Sequence, residues 1–128
     1  MKVITIEKFS SDRIFVVRQY SVANHGGLLL RSSREVEDGT RIDLHVGSVS
    51  AMFLYPSYEG LTINEGTEED RNLVVSLLGP GVFDLGEKLH VIGEGAMTGF
   101  IAGGPLQCRE VCAGDDDPSG FPHMPPTD

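Results

Sequence analysis

From Arg41 the chain alternates strictly: Ile42, Leu44 and Val46 fall on one side and Arg41, Asp43 and His45 on the other. That is the period-two pattern of a half-buried strand. Gly47-Ser48 follows as a two-residue loop, and a glycine in first place suits a type II′ turn because that position needs φ > 0. The pattern therefore predicts a central hairpin, with Val46 opposite Val49, Leu44 opposite Ala51 and Ile42 opposite Phe53. Its second face sets His45 opposite Ser50, Asp43 opposite Met52 and Arg41 opposite Leu54, polar near the turn and apolar further out. A slip of one residue would turn the apolar set to water, so the register is strongly specified.

Further elements follow from the same kind of reading. Val3 to Ile6 is a short edge strand closed by Ser10-Ser11-Asp12, and Ile14 to Val22, rich in β-branched and aromatic residues, is the longest strand. Asn24-His25-Gly26-Gly27 turns the chain back into Leu28 to Arg31, and the polar stretch Ser32 to Thr40 leads on to the central hairpin. In Tyr55-Pro56-Ser57-Tyr58-Glu59-Gly60 the proline bars a central strand and sets up a turn before the next one.

Glu68 to Leu78 is the one predicted helix: Thr67 and Asp70 form a capping box, Glu68 and Glu69 suit the positive end, and Gly79-Pro80 stops it. The run LVVSLL also fits a buried strand, and the caps favour helix, with Leu73, Val74, Leu77 and Leu78 as one apolar stripe. Val82, Phe83 and Leu85 in the following loop are expected to tuck inward. Three closing strands, Lys88 to Ile92, Thr98 to Ala102 and Leu106 to Val111, are interleaved with glycines at 93, 95, 99, 103 and 104, a density that marks bulges and curvature. The fold class is all-β and mostly antiparallel, a β-sandwich or open β-barrel or roll with at most one short helix. Residues 1–112 make a single domain. Residues 113–128, with four prolines, four aspartates and little apolar content, read as a disordered tail.

At 128 residues such a domain can bury a core without metal or disulfide support. The opening segment carries Glu7 and Lys8 before any long apolar run, unlike an export leader, and no stretch reaches membrane-spanning length. Cys108 and Cys112, four apart on one strand, would sit about 13 Å from each other at a rise of roughly 3.3 Å per residue, too far for a disulfide. Free thiols point to a reducing, cytoplasmic setting. Charge alters the picture most. Residues 1–64 hold seven basic and seven acidic side chains, whereas residues 65–128 hold three basic and twelve acidic, so the second half carries the whole net charge of −9. That field repels phosphate backbones and anionic lipid and attracts basic partners.

Candidate chemistry is sparse. Gly93-x-Gly95-x-x-x-Gly99 misses dinucleotide spacing by one residue, Gly79-x-Gly81 lacks a third glycine, and there is no Gly-Lys-Ser/Thr. Ser48 and Ser50 flank a turn and form no nucleophile elbow. Arg109 is the only base near the two cysteines, while Glu110 and the aspartates beyond disfavour a thiolate. Cys108, Cys112 and His123, or Asp115 to Asp117, match no spacing that fixes a metal's geometry, and no cofactor is implied. His25 reads as a solvated turn residue. The acid-base pair to inspect is Asp43 with His45, emerging together beside Ser50; the plainer reading is a cross-strand hydrogen bond on a wet face.

The expected function is a non-enzymatic interaction module that engages a basic protein, as inhibitors and immunity-type partners do. The surface expected to carry it comprises Tyr55, Tyr58, Glu94, Glu110, Asp115, Asp116 and Asp117. A small-ligand-binding barrel built around Phe15, Phe53, Tyr55, Phe83 and Phe100 is the alternative, and an enzyme using Asp43, His45 or the cysteines the third. The chain is expected to be a monomer or an edge-paired homodimer, with no nucleic-acid or membrane partner.

Overall fold

A computed structural model describes residues 4–22, 26–33 and 39–112. Nine strands are found among them: β1 (Ile4–Ile6), β2 (Phe9–Ser21), β3 (Gly27–Ser32), β4 (Arg41–Val46), β5 (Ala51–Phe53), β6 (Ser57–Glu65), β7 (Lys88–Ile92), β8 (Gly99–Gly103) and β9 (Leu106–Val111). Between β6 and β7 lie helix α1 (Glu68–Leu78) and a 3₁₀ turn at Pro80–Phe83. All neighbours pair antiparallel in one open sheet of order β1-β9-β4-β3-β2-β6-β7-β8-β5. No helix among the described residues is long and apolar enough to cross a membrane.

The sheet is curled. Five strands separate β1 from β7 in that order, yet Ile6 and His90 line the same cavity. The Gly104 amide beyond β8 bonds the Gly47 carbonyl beyond β4 at 2.8 Å. Bulges in β2, between Ser11 and Ile14 and between Val17 and Gln19, give the local twist that such curvature needs. The concave face fills with Phe15, Leu28, Leu30, Ile42, Leu44, Val46, Tyr58, Leu61, Ile63, Ile92, Ile101 and Leu106, which form one apolar cluster. A second, smaller cluster sits on the convex side, where Val74 of α1 covers Leu89 and Phe100, with Val82 and Phe83 packed against them.

The arms of the predicted central hairpin are strands, but they do not pair with each other. β4 lies between β3 and β9, with Leu44 opposite Leu30 and Cys108, and β5 is an edge strand against β8. Gly47 does not make the turn; the left-handed conformation falls on Ser48, at φ 50°. β3 and β9 take both hydrogen-bonding edges of β4, which leaves none for β5. The first strand and the long one are also redrawn. Ser10, Ser11 and Asp12 lie inside β2 rather than closing β1: Ser10 and Ser11 pair with Thr62 and Leu61 of β6, and Asp12 falls in the bulge that follows. Strand β6 starts at Ser57, directly after Pro56.

Candidate functional site

Asp43 and His45 do not stand on a wet face. Asp43 is fully buried and His45 nearly so, and their opposite neighbours are Arg31 and Arg109 for Asp43, and Leu29 and Gln107 for His45. Asp43 accepts from Arg31 Nε at 2.9 Å, Arg31 Nη2 at 3.3 Å and Arg41 Nη2 at 3.0 Å. His45 Nδ1 lies 3.1 Å from Gln107 Oε1. Ser50 belongs elsewhere, its amide bonded to the Ala102 carbonyl. A carboxylate held this way on the sealed face of a three-strand ladder orders the sheet and has no route to a substrate.

The expected interaction residues scatter. Tyr58 is 9% exposed: its hydroxyl accepts the Tyr55 amide and donates to the Thr98 carbonyl, both at 3.0 Å, and burial pushes its pKa up. Tyr55 is exposed and extends a ring chain from Phe100 through Phe53. Glu94 accepts from Thr62 Oγ1 and borders a shallow depression with Tyr58. Glu110 is committed within the fold, accepting from Thr40 Oγ1 at 2.7 Å and pairing with Arg13 at 3.5 Å. Asp115, Asp116, Asp117, His25, His123 and the predicted tail lie outside the described residues.

The aromatic set expected to ring a barrel cavity is also divided. Phe15 is in the concave core, Phe83 and Phe100 are in the convex cluster, and Phe53 and Tyr55 are at the surface. Cys108 and Cys112 are free thiols. Burial, with the carboxylates of Glu110 and Asp43 behind it, raises the Cys108 pKa, so the thiol rather than the thiolate prevails there. Among the described residues no three His, Cys, Asp or Glu side chains converge as metal ligands.

What the structure does assemble is a ridge running from Glu65 to Lys88 over the convex face. Helix α1 forms where predicted. Thr67 Oγ1 accepts the Asp70 amide at 3.1 Å and Asp70 accepts the Thr67 amide at 2.9 Å, so both halves of the capping box are present. Only Val74 is buried. Leu73, Leu77 and Leu78 stand 48%, 65% and 52% exposed, and Leu85, expected to turn inward, is 92% exposed. The predicted stripe therefore faces mainly outward. One valine, helped by the Arg71 guanidinium stacked 4.0 Å above the Phe83 ring, seats the helix.

The segment from Glu65 to Lys88 that carries these leucines holds six acids, Glu65, Glu68, Glu69, Asp70, Asp84 and Glu87, against two bases, Arg71 and Lys88. Glu87 is held ionised below the usual carboxylate range by its own backbone amide first, then by the Ser50 hydroxyl and the Leu85 amide. Leu85 also forms one wall of a cleft of about 670 Å³, shared with Tyr20, Val22 and Val49. The floor of that cleft is close-packed backbone. A Cβ on Gly103 would sit 3.0 Å from the Gly47 carbonyl and 3.1 Å from Val49 Cα, so glycine is what lets the β4–β5 crossover close on the end of β8. The sequence carried the acid count and the leucine period. It did not carry which side of the helix the sheet would cover.

No family model, curated protein or solved structure matches the chain.

Proposed function

We propose that the chain is a non-enzymatic interaction module whose Glu65–Lys88 ridge docks a basic, partly apolar segment of a partner protein, in the manner of an inhibitor or immunity-type domain. One observation carries the reading: four leucines at 48% exposure or more lie within the 24-residue acidic stretch from Glu65 to Lys88. Monomeric domains seldom leave so much aliphatic surface together without use for it. Leucines supply desolvated anchors, and the surrounding carboxylates supply the charged rim that steers a basic partner and sets its orientation. The cleft beside Leu85 offers an apolar continuation for a partner side chain. Few catalytic groups lie near this surface: the Cys108 thiol and the Asp43 carboxylate sit in the sheet's other half.

The test is capture with two variants of the full chain, each impairing one component. Leu73→Gln with Leu77→Gln removes the anchors, and Glu68→Lys with Glu69→Lys reverses the rim. The expected result is a protein crosslinked to the wild type and lost with both variants, binding more slowly as salt rises. An identical captured set for all three forms overturns the proposal.

A further inference from the structure

One end of the concave core is polar. Glu65 and His90 are register partners across β6 and β7, on the side that carries Ile63 and Ile92, and Lys88 precedes His90 by two residues on that face. The curl brings β1 over them. Thr5, Ile6, Glu7 and Pro105 then complete the walls of a cavity of about 120 Å³.

His90 is the notable member of this lining. It is 3% exposed, and its Nε2 lies 2.8 Å from the Gly104 carbonyl. A carbonyl only accepts, so Nε2 carries the proton and Nδ1 is left as a bare acceptor. Nδ1 is buried and has no protein hydrogen-bond partner among the described residues. Buried polar atoms are nearly always paired, and an exception in a cavity wall marks a place where something else donates. Burial, reinforced by the Lys88 charge, outweighs the Gly104 bond and Glu65 and holds His90 below the usual histidine range, so the ring stays neutral at pH 7. Glu7 and Glu65 against Lys88 leave the lining one negative charge in excess.

We propose that this cavity binds a small organic cation with an N–H donor, a protonated amine or amidine, which donates to His90 Nδ1 while Glu7 and Glu65 balance its charge. The volume fits about four non-hydrogen atoms at the ~30 Å³ each that water takes in the liquid. A metal ion is the poorer match, since these side chains do not converge as three metal-ligating groups. The cavity shares Glu65 and Lys88 with the two ends of the ridge but none of its leucines, so loss of the leucine contacts and loss of cation binding are distinguishable.

Titration of the ¹⁵N-labelled full chain with ethanolamine hydrochloride and with guanidinium chloride tests the proposal, at fixed pH and ionic strength, with sodium chloride and isopropanol as controls. Long-range ¹H–¹⁵N spectra read His90 Nδ1 directly. The expected result is a saturable upfield Nδ1 shift with at least one of the two cations and with neither control. Glu65→Gln, an exposed position, should weaken it about fivefold, the scale of a single exposed charge pair. Glu7→Gln, in the bend between β1 and β2, serves the same purpose should the first variant fold poorly. No saturable shift, an equal shift with sodium chloride or isopropanol, or undiminished binding in the folded variants would overturn it.

Discussion

Arg31 and Asp43 face each other across β3 and β4, with guanidinium nitrogens 2.9 and 3.3 Å from the two carboxylate oxygens and neither side chain more than 2% exposed. Arg41, on the same face of β4 as Asp43, adds a third bond at 3.0 Å. The carboxylate therefore ties β4 to β3 through Arg31 and is held a third time by Arg41 of its own strand, in geometry that favours strong charge-assisted bonds. Asp43→Ala strips a buried ion cluster of its shared anion and should lower stability by about 3–5 kcal/mol. Asp43→Asn, which keeps one acceptor, should recover part of that. Urea midpoints measure both, and an alanine cost below about 1 kcal/mol, the level of an exposed pair, would show that the cluster is not sealed from water.

The Tyr58 hydroxyl joins two distant segments, accepting from the Tyr55 amide before β6 and donating to the Thr98 carbonyl just ahead of β8. Tyr58→Phe should cost about 1–2 kcal/mol, the scale of a buried bond whose partners are left behind. The alkaline limb provides a second readout. Burial raises the phenol's pKa above its ordinary 10.0, so the folded state favours the neutral form. That contribution is complete below pH 10.0 and is lost as pH climbs through the raised value. Wild type should therefore lose stability above pH 10.0 faster than Tyr58→Phe, and parallel alkaline curves would contradict the assignment.

Much of this architecture could be read from alternation and caps, and the parts that could not have a common cause. Lys88–Ile92 and Leu106–Val111 appear residue for residue where the apolar pattern puts them, and α1 starts and stops at its predicted caps. Alternation assigns side chains to faces and says nothing about which strand lies alongside. Ile42, Leu44 and Val46 share one face as alternation requires, yet the neighbours of Leu44 and Val46 are Leu28 and Leu30 before them and Leu106 and Cys108 far after. Asp43 looked solvated because its partner Arg31, on a different strand, was not visible as such from β4 alone. The helix period likewise revealed a stripe but not that the sheet takes Val74 and leaves Leu77. For His90 a signal was present: it alternates with Lys88 and Ile92, so a ring sharing the parity of a core isoleucine had to point inward.

His90 also makes an acid-side prediction. Its pKa is lowered, chiefly by burial, so the folded state resists the protonation that the unfolded chain accepts. The neutral ring's contribution is then complete above the ordinary value of 6.5 and is lost as pH falls from there toward the lowered folded value. His90→Gln retains an N–H for the Gly104 carbonyl and removes the titration. Between pH 7.5 and 5.5 the wild-type urea midpoint should fall further than the variant's. Equal falls would mean that the Gly104 bond and Glu65, which both favour the protonated ring, cancel the effect of burial and Lys88.

Helix α1 divides into one residue that holds the fold and several that do not. Val74 is fully buried against Leu89 and Phe100, and Val74→Ala should cost about 2 kcal/mol at ~0.8 kcal/mol for each buried methylene-sized group lost. Leu77, 65% exposed, should tolerate Gln within about 0.5 kcal/mol, since both residues are good helix formers and little apolar area returns to water. Thermal midpoints of the two single variants separate these roles. If Leu77→Gln costs as much as Val74→Ala, the leucine already packs against its own chain and is not available to a partner. If it costs almost nothing, Leu77 contributes little to the stability of the isolated domain and is available for the docking role proposed for the ridge.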